Sequence, residues 1–217
     1  MKDLITLTDP RSPASEAYRT LRTNLSFYSL DDPIRTLVVT SPTPNDGKSV
    51  TIANLAITMA QSGRRTILVD CDLRRPSLHT LFGVENEAGL TTMILNEEQE
   101  APLVQTGVDN LWLLPSGSLP PNPADLLGSR QVDRVLESLL EKADIVLLDA
   151  PPVVGFTDAA VLGARVDGVL LVLRSGRTRR EHAERAKAQL ERANVRVIGA
   201  TLTDAPLESG PGEYYEK

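Results

Sequence analysis

The chain has 217 residues, of which 41% are hydrophobic, and a formal net charge of −6 at pH 7. This length and composition suit one medium-sized α/β domain with a real core, and the negative charge argues against a nucleic-acid-binding protein. The single cysteine excludes an intrachain disulfide framework and a metal site made only of cysteines. No apolar run approaches the roughly 18 residues of a membrane span and no signal peptide is apparent, so we expect a cytoplasmic protein without direct membrane insertion.

The N-terminal region predicts one helix. We expect residues 1–11 to be polar and mobile and a helix over about 12–30, because Ser12-Pro13 is typical of an N-cap followed by proline at the first helical position. Apolar residues then recur at helical spacing on one face. Another face carries three charged residues spaced three apart, namely Glu16, Arg19 and Arg22. This spacing permits either an ion pair on a solvated helix or a contact between subunits.

The segment from Leu37 to Ala56 predicts a phosphate-binding loop. A short buried strand leads into a turn, and Gly47-Lys48-Ser49 then opens an apolar helix. The first backbone N–H groups of a helix lack intrahelical partners and its dipole favours negative charge, so a nucleotide phosphate fits there. Lys48 would reach the β- and γ-phosphates, and the Ser49 hydroxyl would hold Mg²⁺. The residues expected to bind the nucleotide are Asn45, Asp46, Gly47, Lys48, Ser49 and Val50.

This loop departs from the pattern G-x-x-x-x-G-K-[ST] of phosphate-binding loops. Pro42 stands at the first glycine position, and Asn45 stands where glycine is common in related loops. Asparagine tolerates positive φ better than most residues, so the sequence remains compatible with a left-handed turn at Asn45.

Two further strands are predicted to end in carboxylates. The first of these strands, Thr66–Asp70, ends in Asp70 and is followed by Cys71 and Asp72. The other strand, Asp144–Asp149, ends in Asp149. Open α/β sheets bind ligands at the carboxyl ends of their strands, and a hydrophobic strand ending in aspartate is typical of the Mg²⁺ site in phosphate-loop enzymes. The aspartates after the first strand could instead cap the next turn, and Cys71 is expected to pack in the core. The short basic clusters, such as Arg74-Arg75, are expected to be solvated.

The remaining chain alternates between predicted helices and strands. The expected elements are a helix at about 90–96, a strand at 111–114, a helix at about 125–142 that breaks near Gly128, a strand at 166–173, a helix to about 192 and a strand at 195–203. A capping box is predicted at Thr178-Arg179-Arg180-Glu181. The alternation indicates one P-loop domain over 1–203, an α/β fold with a mostly parallel sheet and helices on both faces. Residues 204–217 predict a flexible tail that carries Tyr214 and Tyr215.

Four segments carry a more specific pattern. They are SPTPNDGKS at 41–49, ILVDCDLRRPS at 67–77, LPSGSLPPNPADLL at 114–127 and VLLDAPP at 146–152. Together they resemble the cytoplasmic domain of bacterial tyrosine autokinases (BY-kinases), which accompany capsule and exopolysaccharide export. The resemblance spans residues 12–203, and its second segment is the most specific because ordinary P-loop ATPases lack it. The spacing of Glu16, Arg19 and Arg22 also matches the helix through which such kinases form rings, which favours the subunit contact.

The resemblance implies ATP or ADP and Mg²⁺ as ligands, with Ser49, Asp70 and Asp149 around the metal. The catalytic residues that it implies are Lys48, Asp70, Asp72 and Asp149, and the implied phosphoacceptors are Tyr214 and Tyr215. Asp72 is the best candidate to accept the proton of the attacking tyrosine. A tyrosine hydroxyl with a pKa near about 10 is a weak nucleophile at neutral pH, so a carboxylate within hydrogen-bond reach would help. Most of the rate acceleration would come from positioning of the reactants and from charge neutralisation by Lys48 and Mg²⁺.

The resemblance also implies partners. It predicts a homo-oligomeric ring formed through the N-terminal helix, in which one subunit phosphorylates the tail of its neighbour. It further predicts a separate membrane activator, the polysaccharide copolymerase, which would recruit the cytoplasmic chain to the inner face of the plasma membrane. No nucleic-acid partner is expected.

Two departures from the family pattern leave alternatives open. The tail has two tyrosines where relatives usually have a cluster, and Thr203-Asp204 stands where relatives have an asparagine that contacts adenine. One alternative is an ATP-dependent scaffold of the export complex that transfers no phosphate. Another is a partitioning or division-site ATPase of the same fold, although residues 41–46 lack the second lysine that such proteins usually carry. An electron-transfer ATPase of the nitrogenase-reductase type is disfavoured because the chain has one cysteine.

Overall fold

The structure is a computed structural model that describes residues 4–28, 33–96 and 100–206. Its strands are β1 (Thr36–Thr40), β2 (Thr66–Asp70), β3 (Val104–Gln105), β4 (Leu111–Leu114), β5 (Ile145–Asp149), β6 (Gly168–Arg174) and β7 (Val197–Thr203). Its helices are α1 (Ile5–Thr8), α2 (Pro13–Phe27), α3 (Lys48–Gln61), α4 (Leu78–Phe82), α5 (Leu90–Leu95), α6 (Pro123–Leu127), α7 (Arg130–Lys142), α8 (Asp158–Gly163) and α9 (Arg180–Arg192). The gap between α6 and α7 confirms the predicted break near Gly128. None of the helices within these ranges is long and apolar enough to cross a membrane.

The strands form one sheet in the order β3-β4-β2-β5-β1-β6-β7. The pairings are parallel except that the short β3 runs antiparallel to β4. Parallel neighbours bring their carboxyl ends to the same edge of a sheet, and ligands bind in the crevice at that edge. The last residue of β2, Asp70, therefore lies directly opposite the last residue of β5, Asp149. The predicted mostly parallel sheet is confirmed.

Each face of the sheet packs against its own apolar core. Along β1, Leu37 and Val39 face the core that α3 covers, whereas Val38 faces the core on the opposite side, which α7 and α8 help to cover. Burial on both faces explains why the strands are almost continuously apolar in sequence. The predicted covering by helices on both faces is confirmed.

The expectation that residues 1–11 are mobile is wrong for the part that the structure describes. Leu4 is fully buried, and α1 packs on α3. The backbone N–H and the hydroxyl of Thr6 both donate to Asn54 Oδ1, at 3.1 and 2.8 Å. The mostly polar composition of this segment gave no indication of the burial of Leu4 or of the Thr6–Asn54 hydrogen bonds. The N-cap at Ser12 is confirmed, because its hydroxyl accepts from Ser15 N at 3.2 Å.

The predicted capping box at the start of α9 is also wrong. The N-cap of this helix is Arg179, and no side chain caps it. The hydroxyl of Thr178 instead accepts from Arg174 N at 2.7 Å and donates to Asp46 Oδ1 at 2.9 Å. A tertiary partner in the loop after β1 thus takes the hydroxyl that the local pattern assigned to the helix.

Gly89 provides a test of how tightly the loop after β4 packs. A Cβ at Gly89 would lie 2.5 Å from Gly117 N and closer still to the Pro115 carbonyl oxygen. Hydrogen bonds hold this backbone in place, because Leu90 N donates to the Pro115 carbonyl at 2.8 Å. We expect Gly89→Ala to lower the free energy of unfolding by about 1–3 kcal/mol in urea denaturation, because the backbone cannot yield without breaking these bonds.

The matched control is Gly199→Ala in β7. A Cβ there would meet nothing within 4 Å. Its free energy of unfolding should stay within about 0.5 kcal/mol of the wild type. Equal losses in the two variants would show that the loop after β4 accommodates the extra methyl group.

Candidate nucleotide site

The loop between β1 and α3 has the left-handed conformations that a phosphate-binding turn requires. The φ angle is 65° at Asn45 and 91° at Gly47. The left-handed turn at Asn45 is therefore present despite the missing glycine. Gly47 is the N-cap of α3, so the first unpaired N–H groups of that helix follow it directly. A Cβ at Gly47 would press on the Thr203 side chain at 3.3 Å.

Asp46 fixes the shape of this loop with its side chain. Its carboxylate is buried and accepts from the N–H and hydroxyl of Thr43, at 2.9 and 2.8 Å, and from the hydroxyl of Thr178. Its carbonyl accepts from Thr203 Oγ1 at 2.9 Å. The carboxylate oxygens are thus hydrogen-bonded within the protein, so the predicted nucleotide contact of Asp46 would have to be made by its backbone. Sequence reasoning named Thr178 and Thr203 for other reasons and missed that their hydroxyls bind Asp46, which lies 132 and 157 residues away in the chain.

Lys48 gathers most of the predicted catalytic residues into one cluster. Its ammonium group lies 2.9 Å from Asp72 Oδ2, 3.1 Å from Asp149 Oδ1 and 3.1 Å from Ser49 Oγ. Ser49 Oγ in turn donates to Asp149 Oδ2 at 2.5 Å. The side chains of Lys48, Asp72 and Asp149 are 11%, 6% and 0% exposed, so these are buried charges that stabilise one another.

Asp70 lies beside this cluster and organises the following loop. Its Oδ1 accepts from Asp72 N at 3.2 Å, and its Oδ2 accepts from Ser77 N and Leu78 N at 3.0 and 2.9 Å. Asp70 therefore holds the segment that carries Asp72. The structure does not test the predicted metal contact of Asp70, which stays a prediction. Cys71, which follows it, is buried in the core as expected.

The pKa values of these groups follow from burial and mutual charge. Burial, reinforced by the neighbouring Asp149 charge, raises the pKa of Asp70 to about 7. Burial also raises the pKa of Asp149, although the Lys48 cation and the Ser49 hydroxyl oppose that rise. For Lys48, burial favours the neutral amine, but the Asp149 and Asp72 carboxylates outweigh it and leave its pKa above the ordinary value. Lys48 is therefore a cation at neutral pH.

The donor set fits Mg²⁺ accompanied by a nucleotide. Magnesium takes oxygen ligands, and in nucleotide sites it is held by one or two carboxylates together with phosphates and water. Ser49 and Asp149 supply a hydroxyl and a carboxylate side by side at the first turn of α3. No group of three or more His, Cys, Asp or Glu side chains within the described ranges is arranged to hold a metal by itself. Phosphate oxygens would have to complete the coordination.

Arg74, two residues after Asp72, was predicted to be solvated, but other side chains bind it. Arg74 forms two hydrogen bonds to Asp158, at 3.0 and 3.1 Å, and its guanidinium stacks over the Phe156 ring at 4.3 Å. Asp158 is fully buried. This contact joins the loop after β2 to the loop after β5. The adjacent Arg75 is exposed, as predicted.

The predicted subunit-contact residues divide into two groups. Glu16 and Arg19 form an ion pair at 2.8 Å on the exposed face of α2. Arg22 turns the other way and donates to the Thr58 carbonyl on α3 at 2.8 Å. The predicted phosphoacceptors, Tyr214 and Tyr215, lie outside the residues that the structure describes.

The sheet order, the turn after β1 and the lysine–carboxylate cluster define a P-loop nucleotide-binding domain. A family model for ParA, described as NUBPL iron-transfer P-loop NTPase, matches residues 34–201. The septum site-determining protein MinD of Pyrococcus horikoshii OT3, solved with Mg-ADP, superposes with a TM-score of 0.65 at 23% identity, covering 77% of this chain and 69% of that one. At that identity the likeness concerns the fold alone.

Two further comparisons are more specific. Tyrosine-protein kinase YwqD of Bacillus subtilis strain 168 is 40% identical over 207 residues, which cover 95% of this chain and 87% of that protein. The crystal structure of the chimerical protein CapA2B2 superposes with a TM-score of 0.90 at 33% identity, covering 95% of this chain and 91% of that one. The chain belongs to the ParA family of P-loop NTPases and, within it, to the bacterial tyrosine kinases. Its enzyme class is protein-tyrosine kinase, as the sequence resemblance predicted.

Replacing Lys48 tests the charge balance of the site. Without Lys48 the pKa of buried Asp149 should rise further, and a carboxyl whose pKa is higher in the folded than in the unfolded state costs stability as the pH rises between the two values. We expect Lys48→Met to lower the free energy of unfolding by about 3–5 kcal/mol at about pH 8 and by clearly less at about pH 5.5, where the folded carboxyl can bind a proton. Urea denaturation at the two pH values measures both losses.

Lys187→Met is the matched control, because Lys187 is an exposed lysine on α9 beside Glu191. It should change the free energy of unfolding by less than about 1 kcal/mol at either pH. A loss for Lys48→Met that is the same at both pH values would show that Asp149 is not balanced by Lys48.

Proposed function

We propose that the chain is an ATP-dependent autokinase that phosphorylates Tyr214 and Tyr215 of its own tail and regulates capsule or exopolysaccharide synthesis and export. One observation carries this proposal: Lys48, Asp72 and Asp149 meet at the N-terminus of α3. A P-loop that only binds nucleotide needs the lysine and the metal-binding carboxylate. The second carboxylate on the lysine gives the site a base for a hydroxyl nucleophile.

The chain's own residues would act in a fixed order. Lys48 would turn from the carboxylates to the β- and γ-phosphates, since the phosphates offer it more negative charge. Asp72 Oδ2, released from Lys48, would accept the proton of the tyrosine hydroxyl while the tyrosine oxygen bonds to the γ-phosphorus and ADP leaves. Magnesium, held by Ser49 and Asp149, would neutralise charge on the phosphates. Asp70 would keep the loop that carries Asp72 in place through its three N–H partners.

The proposal includes a ring of subunits and transfer between neighbours. Glu16 and Arg19 present an exposed charged pair on α2, as a subunit contact requires. The 14 residues after Thr203 would extend at most about 45–50 Å, whereas a domain of this size has a radius of gyration of about 17 Å. The tail therefore reaches its own site or that of a neighbour. We favour the neighbour, with phosphorylation disassembling the ring.

A separate membrane activator completes the proposal. It would recruit the chain to the inner face of the plasma membrane and present a cytoplasmic segment close to the nucleotide. The resemblance to BY-kinases supports this part. The alternative of a scaffold that transfers no phosphate is favoured by the two-tyrosine tail, and the following experiment separates the two functions.

Intact mass, measured before and after incubation with ATP, Mg²⁺ and an activator fragment, tests phosphate transfer. We expect added phosphate that maps to Tyr214 and Tyr215 and disappears in Lys48→Met and in the double variant Tyr214→Phe/Tyr215→Phe. Asp72→Asn should slow transfer by about 10²–10⁴-fold, because it removes the proton acceptor and keeps the size of the side chain. Nucleotide binding and assembly without added phosphate would instead support the scaffold.

Light scattering tests the ring. The double variant Glu16→Ala/Arg19→Ala should fall to the mass of a monomer with only a small fall in the unfolding midpoint, because it removes an exposed ion pair and the hydrogen bond that Arg19 donates to the Pro10 carbonyl at 2.7 Å. Arg22→Ala should also lower the unfolding midpoint, because Arg22 holds α2 on α3. The same mass before and after phosphorylation would overturn the disassembly step.

A further inference from the structure

Two adjacent arginines after β2 have opposite surroundings. Arg74 is bound on both sides, by the buried carboxylate of Asp158 and by the ring of Phe156. Arg75 is exposed, and its guanidinium makes no hydrogen bond or ion pair with any residue that the structure describes. One arginine thus supports the loop, while the other is available to a ligand.

The backbone of Arg75 is fixed on the proposed catalytic base. Arg75 N donates to the Asp72 carbonyl at 3.2 Å and to Asp72 Oδ1 at 3.0 Å. The first of these bonds closes a four-residue turn, in which the end Cα atoms lie within about 7 Å of each other. A long cationic side chain that is exposed to solvent therefore begins beside Asp72. The Arg75 side chain thus begins close enough to Asp72 to meet a peptide whose tyrosine reaches that carboxylate.

The tail has a glutamate directly beside each of its two tyrosines. Glu213 directly precedes Tyr214, and Glu216 directly follows Tyr215, so either tyrosine has a glutamate as its immediate neighbour. Residues 207–217 contain three glutamates and one lysine. The site that this acidic segment must approach carries the carboxylates of Asp70, Asp72 and Asp149 against the single cation of Lys48. An exposed cation beside Asp72 would lower the repulsion between the tail and these carboxylates.

We propose that Arg75 recognises the glutamate beside the acceptor tyrosine, so that this residue selects acidic tyrosine peptides and, first among them, the tail of another copy of this chain. The proposal rests on the autokinase function proposed above. Arg75 would act on the substrate and not on the reacting atoms. Its contribution is the charge pair, together with relief of the repulsion between the tail and the acidic site.

Binding of the tail as a peptide tests the contact without any phosphate transfer. A fluorescein-labelled peptide with the sequence of residues 207–217 would be titrated with the full chain in the presence of ADP and Mg²⁺, and anisotropy would give its Kd. Arg75→Ala should raise this Kd by up to about fivefold, the equivalent of one solvent-exposed ion pair. Arg75→Glu should raise it by about tenfold or more, since repulsion replaces attraction. Arg75→Lys, which keeps the charge, should stay close to the wild type.

The charge-reversed peptide and a distant arginine are the controls. A peptide with lysine in place of Glu213 and Glu216 should bind more tightly to Arg75→Glu than to the wild type. Arg192→Ala removes an exposed arginine from the last turn of α9, at the opposite edge of the sheet, and should leave every Kd unchanged. The differences should shrink at high salt because the pair is exposed.

The outcomes separate this inference from the autokinase function. Equal Kd values for the wild type and Arg75→Glu, or no preference between the acidic and the charge-reversed peptide, would overturn the role of Arg75 even if the wild type phosphorylates its tail. Peptide binding that depends on Arg75 in a protein that transfers no phosphate would support the docking contact and overturn the autokinase function. In an active kinase, the change should lie in KM for the peptide more than in kcat.

Discussion

The buried ammonium group of Lys48 between Asp72 and Asp149 is the interaction on which the arrangement of this site depends. Taking charges out of water is costly, and such a cluster is retained only where the geometry is good and each charge has a partner. The Lys48 cation opposes the rise that burial causes in the pKa of Asp149. Lys48 can also exchange these partners, because a nucleotide offers it phosphate oxygens in place of carboxylate oxygens. The cluster is therefore weak evidence for stability and stronger evidence for a ligand.

The topology of the sheet explains why these residues meet. β5 lies between β1 and β2, so the loop after β1, Asp149 at the end of β5 and Asp70 at the end of β2 stand in a row at one edge. Three carboxyl groups, those of Asp70, Asp72 and Asp149, stand against one lysine, so the row carries negative charge, and more of it once the pH rises above the Asp70 pKa of about 7. A divalent cation complements that charge, whereas another anion brought without it, such as a bare nucleotide or an acidic tail, does not. This charge distribution supports the proposed binding of a nucleotide together with its metal.

The sequence predicted those features that depend on a few neighbouring residues. The apolar strands and the helix break near Gly128 follow from local composition and backbone preference, and the left-handed turn at Asn45 is one that the sequence allowed. Local patterns failed where distant segments compete for the same group. Thr178 fits a capping box, yet Asp46, 132 residues away, takes its hydroxyl. Arg74 has the composition of a solvated cluster, yet a buried aspartate 84 residues away binds it. Neither partner could be inferred before the order of the strands was known.

The tail begins beside the phosphate loop, and this position affects its route to Asp72 in the proposed transfer between subunits. Thr203 Oγ1 donates to the Asp46 carbonyl, and Asp204 pairs with Arg174 at 2.6 Å. Arg174 also donates to the Asn45 carbonyl at 3.3 Å. The tail therefore leaves the domain at the phosphate loop itself, and its length does not limit access to its own site. In the transfer between subunits proposed above, direction would then matter more than length. A tail that begins after β7 would have to cross β6, β1 and β5 to reach Asp72 of its own chain, whereas the tail of a neighbour could approach from the side of β2, where Arg75 is exposed.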